Sequence, residues 1–151
     1  MSYHPNNPNG QATSANSAPV VLASDQSAIP VAASNLTLGA NTASGWSANS
    51  QTALSNTKVA VKASAGNFGG YMVYNPNPAA TYIQVFDVAS GSVTLGVTAP
   101  TYVITIPPAS GANVEFTLGI THATAITLAA TTTATGSAAP ASALTGFFLY
   151  K

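Results

Sequence analysis

The chain is predicted to be all-β: an antiparallel β-sandwich, jelly-roll-like, preceded by an extended N-terminal arm. Three observations predict it. Eight short apolar runs follow one another at about 8 to 12 residues, each closed by Gly, Pro, Asn or Ser. No stretch has the 3.6-residue period of an amphipathic helix. The connections are too short for the crossovers that parallel strands need, so antiparallel packing of two sheets follows.

Residues 1–34 read as an arm. Pro5, Asn6, Asn7, Pro8, Asn9 and Gly10 open it, and the polar tract from Gln11 to Ser17 has neither a helical nor a strand period. Pro19-Val20-Val21-Leu22 and Ile29-Pro30-Val31 are then short β-branched patches bracketed by prolines, which favour extended backbone and cannot join the centre of a sheet. Two apolar patches on a segment with no partner of its own suggest docking, which makes Val20, Val21, Leu22, Ile29 and Val31 the candidate partner-binding residues. Asp25, in Ser24-Asp25-Gln26, fits a turn.

Residues 35–151 form the predicted β-domain. Lys58-Val59-Ala60-Val61-Lys62-Ala63 alternates, with the valines on one face and the lysines on the other, and ends at Ala65-Gly66-Asn67. Tyr71 to Tyr74 is a second run, stopped by Asn75-Pro76-Asn77-Pro78. Tyr82 to Phe86 is the third. Val93 to Val97, Tyr102 to Ile106, Val114 to Leu118, Ala125 to Ala130 and Phe147 to Tyr150 complete the set. Leu36, Leu38, Trp46 and Leu54 offer one further edge strand, weakened by Gly39 and Gly45.

The core expected from these runs is Val59, Val61, Val73, Ile83, Val85, Phe86, Val93, Leu95, Ile104, Ile106, Val114, Phe116, Leu118, Ile126, Leu128, Phe147 and Leu149. The segment Ala129 to Ala143 is almost entirely small residues. It is either a long surface loop or a stretch permitting close approach of a neighbouring subunit.

Charge bounds the function. Of 151 residues only three are Lys or Arg and three are Asp or Glu, 4% against the quarter usual for a soluble domain. Three lysines with zero net charge supply too few phosphate contacts for nucleic acid. Gly69-Gly70 lacks the Lys-Ser/Thr of a phosphate loop. Zero Cys removes disulfides and thiolate chemistry. His4 and His122, with three scattered acids, make neither a triad nor a metal set, and His122 is expected in a loop or interface. Asp87 and Glu115 read as outward-facing or hydrogen-bonded rather than as a hydrolytic pair. The start MSYHPNNPNG lacks the blocks of a secretory signal, and no run reaches the roughly 18 apolar residues of a membrane span. These readings point to assembly: no enzyme, no cofactor, no metal, no nucleic acid and no membrane.

Gln11 to Val31 (QATSANSAPVVLASDQSAIPV) resembles an N-terminal segment of structural proteins of tailed bacteriophages. Ala63 to Asn67 (ASAGN), Tyr74 to Asn77 (YNPN), Tyr82 to Asp87 (YIQVFD), Val93 to Gly96 (VTLG) and the terminal Phe148-Leu149-Tyr150-Lys151 are similar to small β-sandwich phage proteins. The resemblance implies a virion protein, commonly a trimer, whose partner is the major capsid protein or another virion protein. The expected function is capsid decoration: a cement protein bound to the outside of a phage head through its arm. A tail-fibre or receptor-binding component is the alternative, in which Tyr71, Tyr82 and Trp46 would stack on sugar rings.

Overall fold

A computed structural model of the chain describes residues 45–151. The arm, residues 1–34, and its five aliphatic anchors Val20, Val21, Leu22, Ile29 and Val31 lie outside the described residues.

The described part is all-β. Eight strands follow in order: β1 (Ser47–Leu54), β2 (Val59–Lys62), β3 (Gly66–Asn75), β4 (Thr81–Phe86), β5 (Tyr102–Ile106), β6 (Ser110–His122), β7 (Ile126–Thr131) and β8 (Leu144–Tyr150). The helical content among the described residues is one 3-10 turn, Ser90–Ser92. No described helix is long and apolar enough to cross a membrane.

The strands form two antiparallel sheets of four, sheet A in the order β1-β8-β3-β6 and sheet B in the order β2-β7-β4-β5. The first strand pairs with the last, the second with the second-last, and so on inward to β4 with β5. Every connection except β4 to β5 changes sheet, so neighbours in sequence mostly face each other across the core.

The core draws on both sheets. Phe68, Tyr71, Val73, Leu144 and Phe148 come from sheet A, and Val61, Ile83, Val85, Ile106, Ile126 and Leu128 from sheet B. Phe68 and Phe148 approach with ring centroids 6.2 Å apart, within the range of a favourable aromatic pair.

Seven of the eight predicted runs are strands. The exception is Val93 to Val97, where Gly96, at φ +80°, lets the chain turn back: the Val97 and Thr98 amides both donate to the Thr94 carbonyl. Val93 is nevertheless buried, as expected of a core residue, while Val97 is exposed. β1 is the eighth strand. Pairing with β8 holds it in spite of its polar sequence, an edge role that Leu54 anchors from within the core.

Several core expectations fail for identifiable reasons. In β8 the buried residues are Leu144 and Phe148, while Phe147 and Leu149 lie on the outer side. In β6, Phe116 packs on the core, but Val114 is exposed and Leu118 is 89% exposed. Val114 lies in the regular part of β6, which is the edge strand of its sheet. At Leu118 the chain bulges: Gly70 pairs Glu115 and Phe68 pairs Ile120, so one β3 residue opposes four of β6, and Gly119 takes φ +72° there.

The Asn75-Pro76-Asn77-Pro78 turn is a buried polar staple. The two hydrogens of Asn75 Nδ2 are shared among the carbonyls of Ala79 (3.0 Å), Pro107 (3.0 Å) and, at longer range, Ile106 (3.3 Å). Its Oδ1 accepts from the Asn77 amide (3.0 Å), Asn77 Nδ2 (2.8 Å) and Thr81 Oγ1 (3.2 Å). Asn77 in turn exchanges two hydrogen bonds with the backbone of Ser142. The turn thus ties β3, β5 and the approach to β8 at one point.

Candidate interaction surface

The two sheets differ in what lies on their outer sides. On sheet B, Gln84 sits between the core residues Ile83 and Val85 and so faces away from the core. Its Nε2 donates to Thr131 Oγ1 and to the Gly136 carbonyl, both at 2.8 Å. The small-residue stretch after β7 therefore lies over its own sheet, and Ala129 and Ala130 belong to β7 itself, fully buried. The β4–β5 connection is held to the same side: Thr127 Oγ1 donates to the Val88 carbonyl (2.6 Å) and Lys58 Nζ to the Val93 carbonyl (2.6 Å).

On sheet A no described connection is hydrogen-bonded across the outer side in this way, and large apolar residues are exposed there. Met72 is 53% and Tyr74 49% exposed, with half-buried Phe147 and Leu149 from the adjoining β8. Gly111 on β6 pairs with outward-facing Tyr74 and has no side chain to cover it, and an open hollow of about 600 Å³ lies there between β6, β3 and β8. A Cβ at Gly146 would meet the Met72 carbonyl and come within 2.8 Å of Val73 Cα. The close approach of β8 to β3 therefore requires glycine.

Trp46, just before β1, closes the other end of this side. A Cβ at Gly69 would fall 2.6 Å from its Cζ3, and one at Gly119 would fall 2.7 Å from Cη2. The indole therefore reaches β3 and the β6 bulge. Tyr71, also expected to be available for stacking, is a core residue instead, because it shares the inward phase of β3 with Val73. Tyr82 is half-buried on sheet B.

His122, Tyr102 and Asp87 are engaged structurally. His122 is not in a loop: it ends β6, 1% exposed. Its Nδ1 lies 3.1 Å from the Ile120 carbonyl and its Nε2 3.4 Å from the Tyr102 hydroxyl, with the ring against Phe68. Burial pushes the Tyr102 hydroxyl far above its ordinary pKa. Asp87 accepts the backbone N–H groups of Ala123 (2.8 Å), Thr124 (2.6 Å) and Ala125 (3.1 Å) in the turn after β6. Those bonds, the one from Ala123 first, hold its carboxyl below the usual range. Glu115 is exposed on β6. Among the described residues no three His, Cys, Asp or Glu side chains are grouped to hold a metal ion.

The outer side of sheet A is thus the described surface best suited to contact. Sequence reasoning named Trp46 as a stacking candidate and missed Met72 and Tyr74. Comparisons with protein-family models, curated proteins and solved structures return no match to this chain.

Proposed function

We propose that the chain is a virion structural protein: a capsid decoration protein that binds the outside of a phage head through residues 1–34 and stabilises it. The observation that carries this reading is the composition, six charged residues in 151. A surface so poor in charge offers little electrostatic resistance to close packing of many copies. The phage setting rests on the resemblance of Gln11 to Val31 and of the YNPN and YIQVFD segments to phage structural proteins. The partner is the major capsid protein or another virion protein, engaged by Val20, Val21, Leu22, Ile29 and Val31, and the assembled form is a homotrimer. The β-domain is a jelly-roll sandwich, a reading supported by the nested pairing of first strand with last down to β4 with β5. Such a role asks for no catalysis, cofactor or metal.

A cryo-electron microscopy map of the intact particle tests it. Density for the domain on the outer shell of the head is the expected result. Density confined to a tail fibre would favour a receptor-binding component, a reading to which the half-buried Trp46 and half-exposed Tyr74 on one sheet side lend some support.

A further inference from the structure

We infer that residues 132–139 form a strap over the outer side of sheet B, latched by the Gln84 side chain, and that this strap opens while the rest of the domain stays folded. Opening uncovers Gln84 and Thr131, two polar side chains that are fully buried when it is closed. The strap belongs to the β-domain alone and does not depend on where the chain is attached.

Two connections lie on the outer side of sheet B, and they are anchored differently. The one between β4 and β5 carries buried Val93, and Phe86, which shares the outward phase of Gln84 on β4, is fully buried beside it. Burial of side chains of that size holds a connection down. The strap has nothing comparable. Its eight residues include no side chain larger than threonine, and six of them are exposed.

Hydrogen bonds hold it instead. Gln84 Nε2 donates to the Gly136 carbonyl and to Thr131 Oγ1, both at 2.8 Å, and Thr131 Oγ1 donates to the Thr133 carbonyl at 2.7 Å. From an exposed position, Asn56 Nδ2 reaches the Ser137 carbonyl at 3.0 Å. Against these bonds stands the Gln84 Oε1, buried with no hydrogen-bond partner among the described residues. A hydrogen bond exchanged for one to water adds little net stability, whereas an orphaned buried acceptor carries its full desolvation penalty. The closed latch is therefore close to balanced, and opening lets water reach both ends of the amide.

The opening has fixed limits. On one side Thr131 ends β7, paired with Tyr82. On the other, Pro140 is buried and Ser142 is tied to Asn77 by bonds of 2.8 and 2.7 Å. Few buried apolar contacts and exposed hydrogen bonds between firm ends are the marks of a segment that opens locally. Gln84 itself pairs with Val103 and Ala129 in the middle of sheet B, so its backbone stays in place when its side chain is released.

Hydrogen exchange on the full-length chain, followed by nuclear magnetic resonance, tests this, because Gln84 carries both probes. Its side-chain NH₂ is released when the strap opens, and its backbone amide only when sheet B comes apart. Relative to an unstructured glutamine, the side-chain protons should be at least a hundredfold less protected than the backbone amide, and their rate should not respond to sub-denaturing urea. Equal protection and equal urea dependence overturn the independent opening. Side-chain protons that exchange at the unstructured rate overturn the latch. Gln84→Glu sets an oxygen against the Gly136 carbonyl in place of the donor. The Thr132 amide, bonded to the Ala138 carbonyl in the closed strap, should then lose at least tenfold of its protection, while the Ala130 amide, bonded to the Ser55 carbonyl, keeps its own. Unchanged protection at Thr132 also overturns the latch. If this variant does not fold, the comparison within wild-type Gln84 still decides.

Discussion

Asn75 concentrates more hydrogen bonding than any apolar residue of the fold could replace. It is fully buried, its two amide hydrogens are shared among three carbonyls, and its oxygen faces three donors. Asn75→Ala would remove the side-chain hydrogen bonds to the carbonyls of Ile106 and Pro107 and from the Asn77 amide. Each buried polar group so orphaned costs about 1–3 kcal/mol, and water can reach some of them, so a loss of roughly 3 kcal/mol is expected in a denaturant titration. Asp87 acts at the surface and is read through pH. Its folded pKa lies below the ordinary 3.8, so as pH falls the unfolded chain takes up its proton first. Its contribution is complete above that ordinary value and disappears as pH drops through the lower folded one. The thermal midpoint of the wild type should therefore decline below about pH 4, and Asp87→Asn should decline less steeply over the same window. Equal slopes would remove the turn-capping role.

At the scale of the element, β8 decides which side of a strand is core. Phe147-Phe148-Leu149-Tyr150 is apolar throughout, so the run alone has no period, and Phe147 and Leu149 are the wrong choice. The flanking residues carry the phase: Thr145 and Lys151 share parity with Phe147 and Leu149, and Leu144 with Phe148. Phe148→Ala should cost about 3–5 kcal/mol and Phe147→Ala far less, since only Phe148 would leave a cavity. Comparable losses at both positions would mean that the register is shifted. Elements with clear alternation or clear stops were legible in the sequence: β2 by its lysines, β4 by Ser90-Gly91, and β5 by Pro107-Pro108, its ends matching the predicted run. What was not legible depends on partners far away in the chain. β1 is a strand because β8 offers it an edge, the bulge of β6 arises from pairing with Gly70, and Val93 is buried in a turn rather than a strand. Of the candidate surface, Trp46 could be named in advance because it is the lone Trp. Met72 and Tyr74 could not, because only the paired structure fixes which side of β3 stays open.

At the scale of the whole molecule, the described domain has a core of its own, and the proposed attachment falls to residues 1–34. The β-domain has a core shared by two sheets and a staple of buried amides, so it should fold without residues 1–34. That segment is polar and broken by prolines, yet retains Val20, Val21, Leu22, Ile29 and Val31. Each of these side chains is worth roughly 1.5–3 kcal/mol when buried. Fixing an extended backbone costs about 1–2 kcal/mol per residue, so one arm alone gains little. Several arms on one oligomer change the balance, because once the first is bound the others dock at high effective concentration. Deleting residues 1–34 should accordingly leave the circular dichroism spectrum of a β-protein while removing occupancy on undecorated heads by two orders of magnitude or more. Substituting Val21 and Val31 together with Ser should lower occupancy without altering the domain's melting midpoint. Full occupancy by the truncated chain would assign attachment to the β-domain, and the outer side of sheet A would then be the first surface to probe against the head.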